Sequence, residues 1–206
     1  MDELVSCILS QHTSDANSFP AFYRLKGAYP TWDKVAAAPA GELADVIRAA
    51  GLANQKARNI QACLREIRDR NGGYDIENLR AMPFLEAREW LTSLPGVGPK
   101  TASIVLSFAF GMEAIPVDTH VYRVAWRIGL IPEGVGEAKA HDLLLERVPK
   151  GLGFRLHMAL IQHGREVCKA PLPLCERCLA SDVCRWFRRD GPAKRRKELR
   201  AKRGSD

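Results

Sequence analysis

Four cysteines stand within seventeen positions near the C-terminus: Cys168, Cys175, Cys178 and Cys184, separated by six, two and five residues. The other two, Cys7 and Cys63, lie on stretches whose apolar residues recur at helical spacing, and both are expected to be inert core thiols. Thiols gathered so tightly imply one metal site, because thiolates are soft ligands that favour zinc or an iron–sulfur cluster. Zinc sites usually pair two short cysteine hooks, and only Cys175–Cys178 forms one here. Spacing alone therefore leans towards iron–sulfur and leaves zinc open. Thioredoxin-like use of Cys175 and Cys178 lacks the βαβ context it needs.

A second chemical pattern is Leu94-Pro95-Gly96-Val97-Gly98-Pro99-Lys100. Two glycines allow a sharp turn and the close approach of another backbone. A helix starting there would aim its unpaired N–H groups and the positive end of its dipole outward, where a phosphate oxygen fits. Such contacts fix register and read no sequence. On these residues alone a plain tight turn is the favoured reading. Lys100 then reads as an exposed first-turn lysine, and Asp118 before Thr119 as a helix N-cap.

The elements around these residues read as helices. Leu4, Val5, Ile8 and Leu9 recur at helical spacing and lead into Gln11-His12-Thr13-Ser14-Asp15. Residues 42–50 form an amphipathic stretch closed by Gly51. Residues 55–69 form another, with Ala57, Ile60, Leu64 and Ile67 on one side, broken by Asn71-Gly72-Gly73. Pro83 opens a helix to Leu94, and residues 101–110 are nearly all apolar or small, as in a helix buried on most sides. Asp118 leads a helix to about Ile128, and residues 137–148 and 153–163 give two more. No stretch alternates as a strand does. Helix, glycine turn, lysine and helix occur twice, around Gly51–Lys56 and Gly96–Lys100, a weak repeat that chance can also produce.

At 206 residues the chain has room for one or two domains and a core that needs no disulfides. No run approaches the ~18 apolar residues of a membrane span, and the acidic start Met1-Asp2-Glu3 is not that of a secreted protein. A soluble intracellular protein with reduced thiols is expected. Net charge is +7; residues 194–206 hold seven basic and two acidic side chains, so +5 resides there and +2 in the body. Residues 188–206 are expected to be a basic, disordered tail, which still permits loose phosphate contact.

Leu94 to Ala102, followed by Val117-Asp118-Thr119-His120-Val121-Tyr122-Arg123-Val124, resembles the helix–hairpin–helix DNA glycosylase superfamily. The cysteine gaps of six, two and five resemble its endonuclease III branch, in which four such cysteines ligate a [4Fe–4S] cluster. His163-Gly164-Arg165, Leu9-Ser10-Gln11 through Asp15, and Gly51 to Ala57 are similar to that branch as well, so the resemblance runs from residue 1 to about 187. It implies an all-α fold of two helical domains flanking a DNA-binding cleft, with a helix–hairpin–helix motif and a C-terminal iron–sulfur loop. The implied domains are residues 18–128, carrying the hairpin, and residues 1–17 plus 129–187, carrying the cluster. Met1 falls inside what resembles the family's second helix, so its first helix is expected to be missing.

The resemblance also implies an activity: a bifunctional DNA glycosylase and apurinic/apyrimidinic lyase that removes oxidised pyrimidines. Its partner would be double-stranded DNA holding damaged bases or abasic sites, met by a monomer at the cytoplasmic nucleoid. Lys100 matches the nucleophile that attacks C1′ of the sugar, and Asp118 the paired carboxylate, the two facing each other across the pocket. An ordinary lysine, of pKa about 10.4, is neutral in roughly one molecule in 10³ at pH 7, so burial or a helix N-terminus is expected to help Lys100. Cys168, Cys175, Cys178 and Cys184 match the cluster ligands. DNA contacts are implied for Gln11, His12, Leu52, Asn54, Gly96, Val97, Gly98, Lys169 and Arg177, with His12 and Leu52 as wedges that fill the hole left by a flipped base. Many family members have glutamine or asparagine where His12 stands, and more basic residues between the first two cysteines than Lys169 alone. Lysine at 100 argues against the adenine and thymine mismatch branches. Two alternatives are a DNA-binding member with weak or no catalysis, and a glycosylase for another lesion such as an oxidised purine.

Overall fold

The structure is a computed structural model that describes residues 1–189, 191, 193 and 197, and every regular element among them is a helix. The chain divides into two compact units, Met1–Met112 and Glu113–Asp206.

The first unit holds α1 (Asp2–Ser10), α2 (Asp15–Ala28), α3 (Trp32–Ala37), α4 (Ala40–Val46), α5 (Ala53–Asn71), α6 (Phe84–Thr92) and α7 (Pro99–Phe108), with 3₁₀ turns at Arg48–Ala50 and Glu77–Ala81. The stripe Leu4, Val5, Ile8 and Leu9 is wholly buried, and α1 packs through it on α2, α5 and α7. Each fully buried leucine or isoleucine of this kind stabilises the fold by about 1.5–3 kcal/mol. Ile60, Leu64 and Ile67 bury the matching stripe of α5, which ends at left-handed Gly72. On α7, residues 101–107 are buried apart from half-buried Ile104, as the apolar run implied, while Phe108 returns to the surface.

The amphipathic stretch 42–50 is not one helix. It breaks at Ile47 and finishes as the 3₁₀ turn Arg48–Ala50. Tightening the last turn is a common way to accommodate carbonyls that a helix end leaves unpaired. Helices α2 and α3 carry no clear sequence signal: α2 contains Pro20 and exposes Phe19 and Tyr23, so its apolar residues trace no single stripe.

The second unit holds α8 (Thr119–Ile128), α9 (Glu137–Arg147), α10 (Gly153–Glu166) and α11 (Arg185–Arg189), with a 3₁₀ turn at Cys175–Arg177. Val117, Val121, Val124, Ala125, Ile131, Leu144 and Leu160 form its core, and α8 packs on α10 and α11. Gly164 makes the α8–α10 approach possible, since a Cβ there would meet His120 Cβ at 2.9 Å.

These units divide the chain differently from the expected boundary at 128 and the expected pairing of residues 1–17 with 129–187. Helix α1 finds its apolar partners inside the first unit, and α8 finds its own in the second. Arg188 and Arg189 close α11, so the expected disordered tail does not begin at 188; most of it lies outside the described residues. No helix among the described residues is long and apolar enough to cross a membrane.

Candidate active site and cysteine cluster

The double-glycine sequence forms the expected turn. Gly96 is left-handed, at φ +77°, and Pro99 opens α7 so that Lys100 occupies its second position. Lys100 is solvent-exposed, so the burial expected of it is absent from its own unit; what the fold supplies is a place in the first turn of α7, at the positive end of the helix. The amides of Lys100 and Thr101 fall in that turn, where a helix has no carbonyl of its own for them. Gly98 is exposed beside them. Val97 is 6% exposed and its amide donates to Leu94 O at 3.2 Å, so this residue anchors the hairpin to the core.

Gln11 is half-buried beside the hairpin. Its Nε2 donates to Gly96 O at 2.9 Å and to Thr101 Oγ1 at 3.2 Å, tying the loop after α1 to the hairpin. Asn59 on α5 supports the other side, since a Cβ at Gly96 would lie 2.8 Å from Asn59 Cβ. Gly96→Ala therefore meets both left-handed strain, about 1–2 kcal/mol, and a clash of about 1–3 kcal/mol. Urea unfolding should show a loss of roughly 2–5 kcal/mol for this variant.

His12 and Leu52 share a rare backbone state. They are the two non-glycine residues at positive φ among those described, 53° and 48°, and both side chains are exposed, Leu52 at 55%. A non-glycine left-handed residue costs of order 1–3 kcal/mol and tends to mark a functional segment. Asn54 is exposed on the first turn of α5, two residues beyond Leu52.

In the second unit Asp118 caps α8, its Oδ1 accepting from the Val121 amide at 2.7 Å. Capping uses one carboxylate oxygen and leaves the other with acceptor capacity. Half-buried His120 meets Arg123 through Nδ1 at 3.1 Å, and Arg123 donates to Gly164 O at 2.8 Å and to Cys168 O at 2.9 Å. The first turns of α8 are thus fastened to the end of α10 and to the first cysteine.

Cys168 and Cys184 are buried, and Cys175 and Cys178 half-buried. Among the described residues no three His, Cys, Asp or Glu side chains are arranged to hold a metal ion. The four thiols nonetheless feel one another: burial pushes Cys175 up to about 11, and Cys168, Cys178 and Cys184 add to the rise while Arg127 opposes it. Arg127 is 6% exposed. Its Nη1 donates to Cys168 Sγ at 3.4 Å and to Lys169 O at 3.0 Å, and its guanidinium lies 4.9 Å from the centre of the Trp186 ring. Its Nε is buried with no hydrogen-bond partner. His163 Nε2 lies 3.5 Å from Cys178 Sγ, and burial pushes its pKa below the usual histidine range. Lys169 and Arg177 are exposed beside the cysteines.

Cys7 and Cys63 are buried as expected. Burial pushes both thiols up, Cys63 to about 12; for Cys7 nearby Glu3 adds to the rise, and Lys100 lies close enough to oppose it. Sequence reasoning missed Arg127. The available signal was a second arginine one helical turn beyond Arg123 on a helix leading towards the cysteines.

Residues 5–150 match the family described as HhH-GPD superfamily base excision DNA repair protein. An endonuclease III of Thermotoga maritima is 35% identical over 188 residues, 91% of this chain and 84% of that protein. An Arabidopsis thaliana protein named as a DNA glycosylase is 37% identical over 80% of this chain, and the match spans 56% of that longer protein. A solved structure of a trapped endonuclease III–DNA covalent intermediate aligns with a TM-score of 0.78 and 34% identity, over 96% of this chain and 84% of that one.

Proposed function

The chain belongs to the HhH-GPD superfamily of base excision DNA repair proteins, and from that premise we propose a bifunctional enzyme that excises oxidised pyrimidines and then nicks the strand. Base excision DNA glycosylase is the coarser function its relatives support; the lesion and the lyase step are our reading. The observation that carries it is Lys100, an exposed amine in the first turn of the helix that follows the double-glycine hairpin.

The damaged nucleotide turns out of the duplex, with His12 and Leu52 filling the gap. The base leaves C1′ with the bonding pair, and the Asp118 carboxylate stabilises the cationic sugar. The deprotonated Lys100 amine bonds to C1′ and gives up a proton, for which Asp118 is the relay. The sugar ring opens to an imine. Loss of a C2′ proton then expels the 3′ phosphate, and water releases the amine. The hairpin backbone, Lys169 and Arg177 grip phosphates. The enzyme acts as a monomer on double-stranded DNA in the cytoplasm.

Cys168, Cys175, Cys178 and Cys184 are the residues that would hold a [4Fe–4S] cluster. The donor set suits one, and Arg127 is a buried cation with an unpartnered Nε and no carboxylate ion pair among the described residues, as beside an anionic group. When bound, the cluster supplies four covalent tethers to a segment too short for its own core. The purified protein is expected to contain iron and acid-labile sulfide in equal amounts, both lost in Cys184→Ala; zinc in their place would overturn the assignment.

The test of function is nicking of duplexes carrying thymine glycol, 8-oxoguanine, an abasic site or no damage, with borohydride trapping. Cleavage and trapping on thymine glycol are expected. Preference for 8-oxoguanine would move the enzyme to oxidised purines. Binding without cleavage of any duplex would leave a DNA-binding protein.

A further inference from the structure

Lys56 takes no part in the chemistry above, yet it is the most unusual cation in the first unit. It is 2% exposed, and burial holds its pKa below the ordinary lysine range. Its Nζ donates to Leu9 O and to Ala50 O, each at 2.7 Å. These carbonyls end two different elements, α1 and the 3₁₀ turn Arg48–Ala50, and such end carbonyls carry partial negative charge. Three residues beyond Leu9 stands His12, and two beyond Ala50 stands Leu52, the two left-handed side-chain-bearing residues among those described. One ammonium therefore binds the roots of both loops. Gln11 extends the linkage to the hairpin through Gly96 O.

We propose that Lys56 is a positioning residue that locks the His12 and Leu52 loops into one two-pronged wedge, so that both enter the base stack as a unit. This rests on the reading that these loops penetrate DNA. Core filling alone does not need an ammonium: an apolar side chain would occupy the space without desolvating a charge. What the ammonium adds is a fixed distance between two chain ends that are 41 residues apart in sequence.

The test uses the full chain and a duplex with a tetrahydrofuran abasic analogue opposite 2-aminopurine, whose fluorescence rises when a wedge unstacks it. Lys56→Met is expected to bind this duplex within about threefold of wild type, since phosphate contacts dominate affinity. Its fluorescence rise should fall by about half or more, because flipping needs the hole filled. In the background of His12→Ala and Leu52→Ala, the same change should add almost nothing, as coupled residues behave in double-mutant cycles. An undiminished rise in Lys56→Met, or a full additive loss in that background, would overturn the proposal.

Should Lys56→Met fail to fold, His12→Ala alone decides. Hydrogen exchange on the bound duplex should then loosen at residues 50–52 as well as at 11–13, and a change confined to 11–13 overturns the coupling. A wild-type protein that raises the fluorescence but cuts nothing would defeat the glycosylase reading and leave the coupling standing. One that leaves the probe dark defeats the wedge and the coupling together.

Discussion

Lys100→Gln is expected to give no borohydride-trapped complex with any substrate and to lower strand nicking by about 10³-fold or more, the scale of losing a nucleophile that works as a unit with its partners. Glutamine keeps a polar side chain, one atom shorter, but has no amine to form an imine. Lys100 is exposed and helical, and glutamine is nearly as good a helix former, so the unfolding midpoint should not move. DNA affinity should fall only by the worth of one surface cation. A variant that still traps would show that another amine forms the covalent bond, and the Lys100 assignment would be lost.

Asp118→Asn is the second large effect. Asparagine is as good an N-cap as aspartate, so the bond to the Val121 amide and the start of α8 should survive. Only the negative charge and the ability to take a proton disappear. Base removal should drop by roughly 10²–10⁴-fold, with thermal stability unchanged. Asp118→Ala removes the cap too and should lose a further ~1 kcal/mol of stability. The difference between the two variants separates capping from catalysis at one carboxylate. Full activity in Asp118→Asn would leave the residue with capping alone.

The sequence made local features legible and distant ones invisible. Helical spacing located α1 and α5, because their apolar stripes are the faces that become buried, and a nearly unbroken apolar run located α7. The hairpin showed itself through two glycines and a proline at fixed offsets, each required by backbone geometry. The partners of Gln11, Lys56 and Arg127 left no comparable trace. Gln11 reaches Gly96 across 85 positions, Lys56 reaches Leu9 across 47, and Arg127 reaches Cys168 across 41. Nothing in a window of neighbouring residues constrains such pairs. The burial of Val97 shows a related limit: a hairpin sequence shows that the chain turns there but not which way its apolar residue points.

The backbone at His12 and Leu52 is already strained in the free protein. If these residues enter the duplex, they do so without first rearranging, and recognition becomes a measurement of the double helix's own compliance. Sites where damage has weakened stacking yield at little expense, while sound, stiff tracts spring back and let the protein slide on.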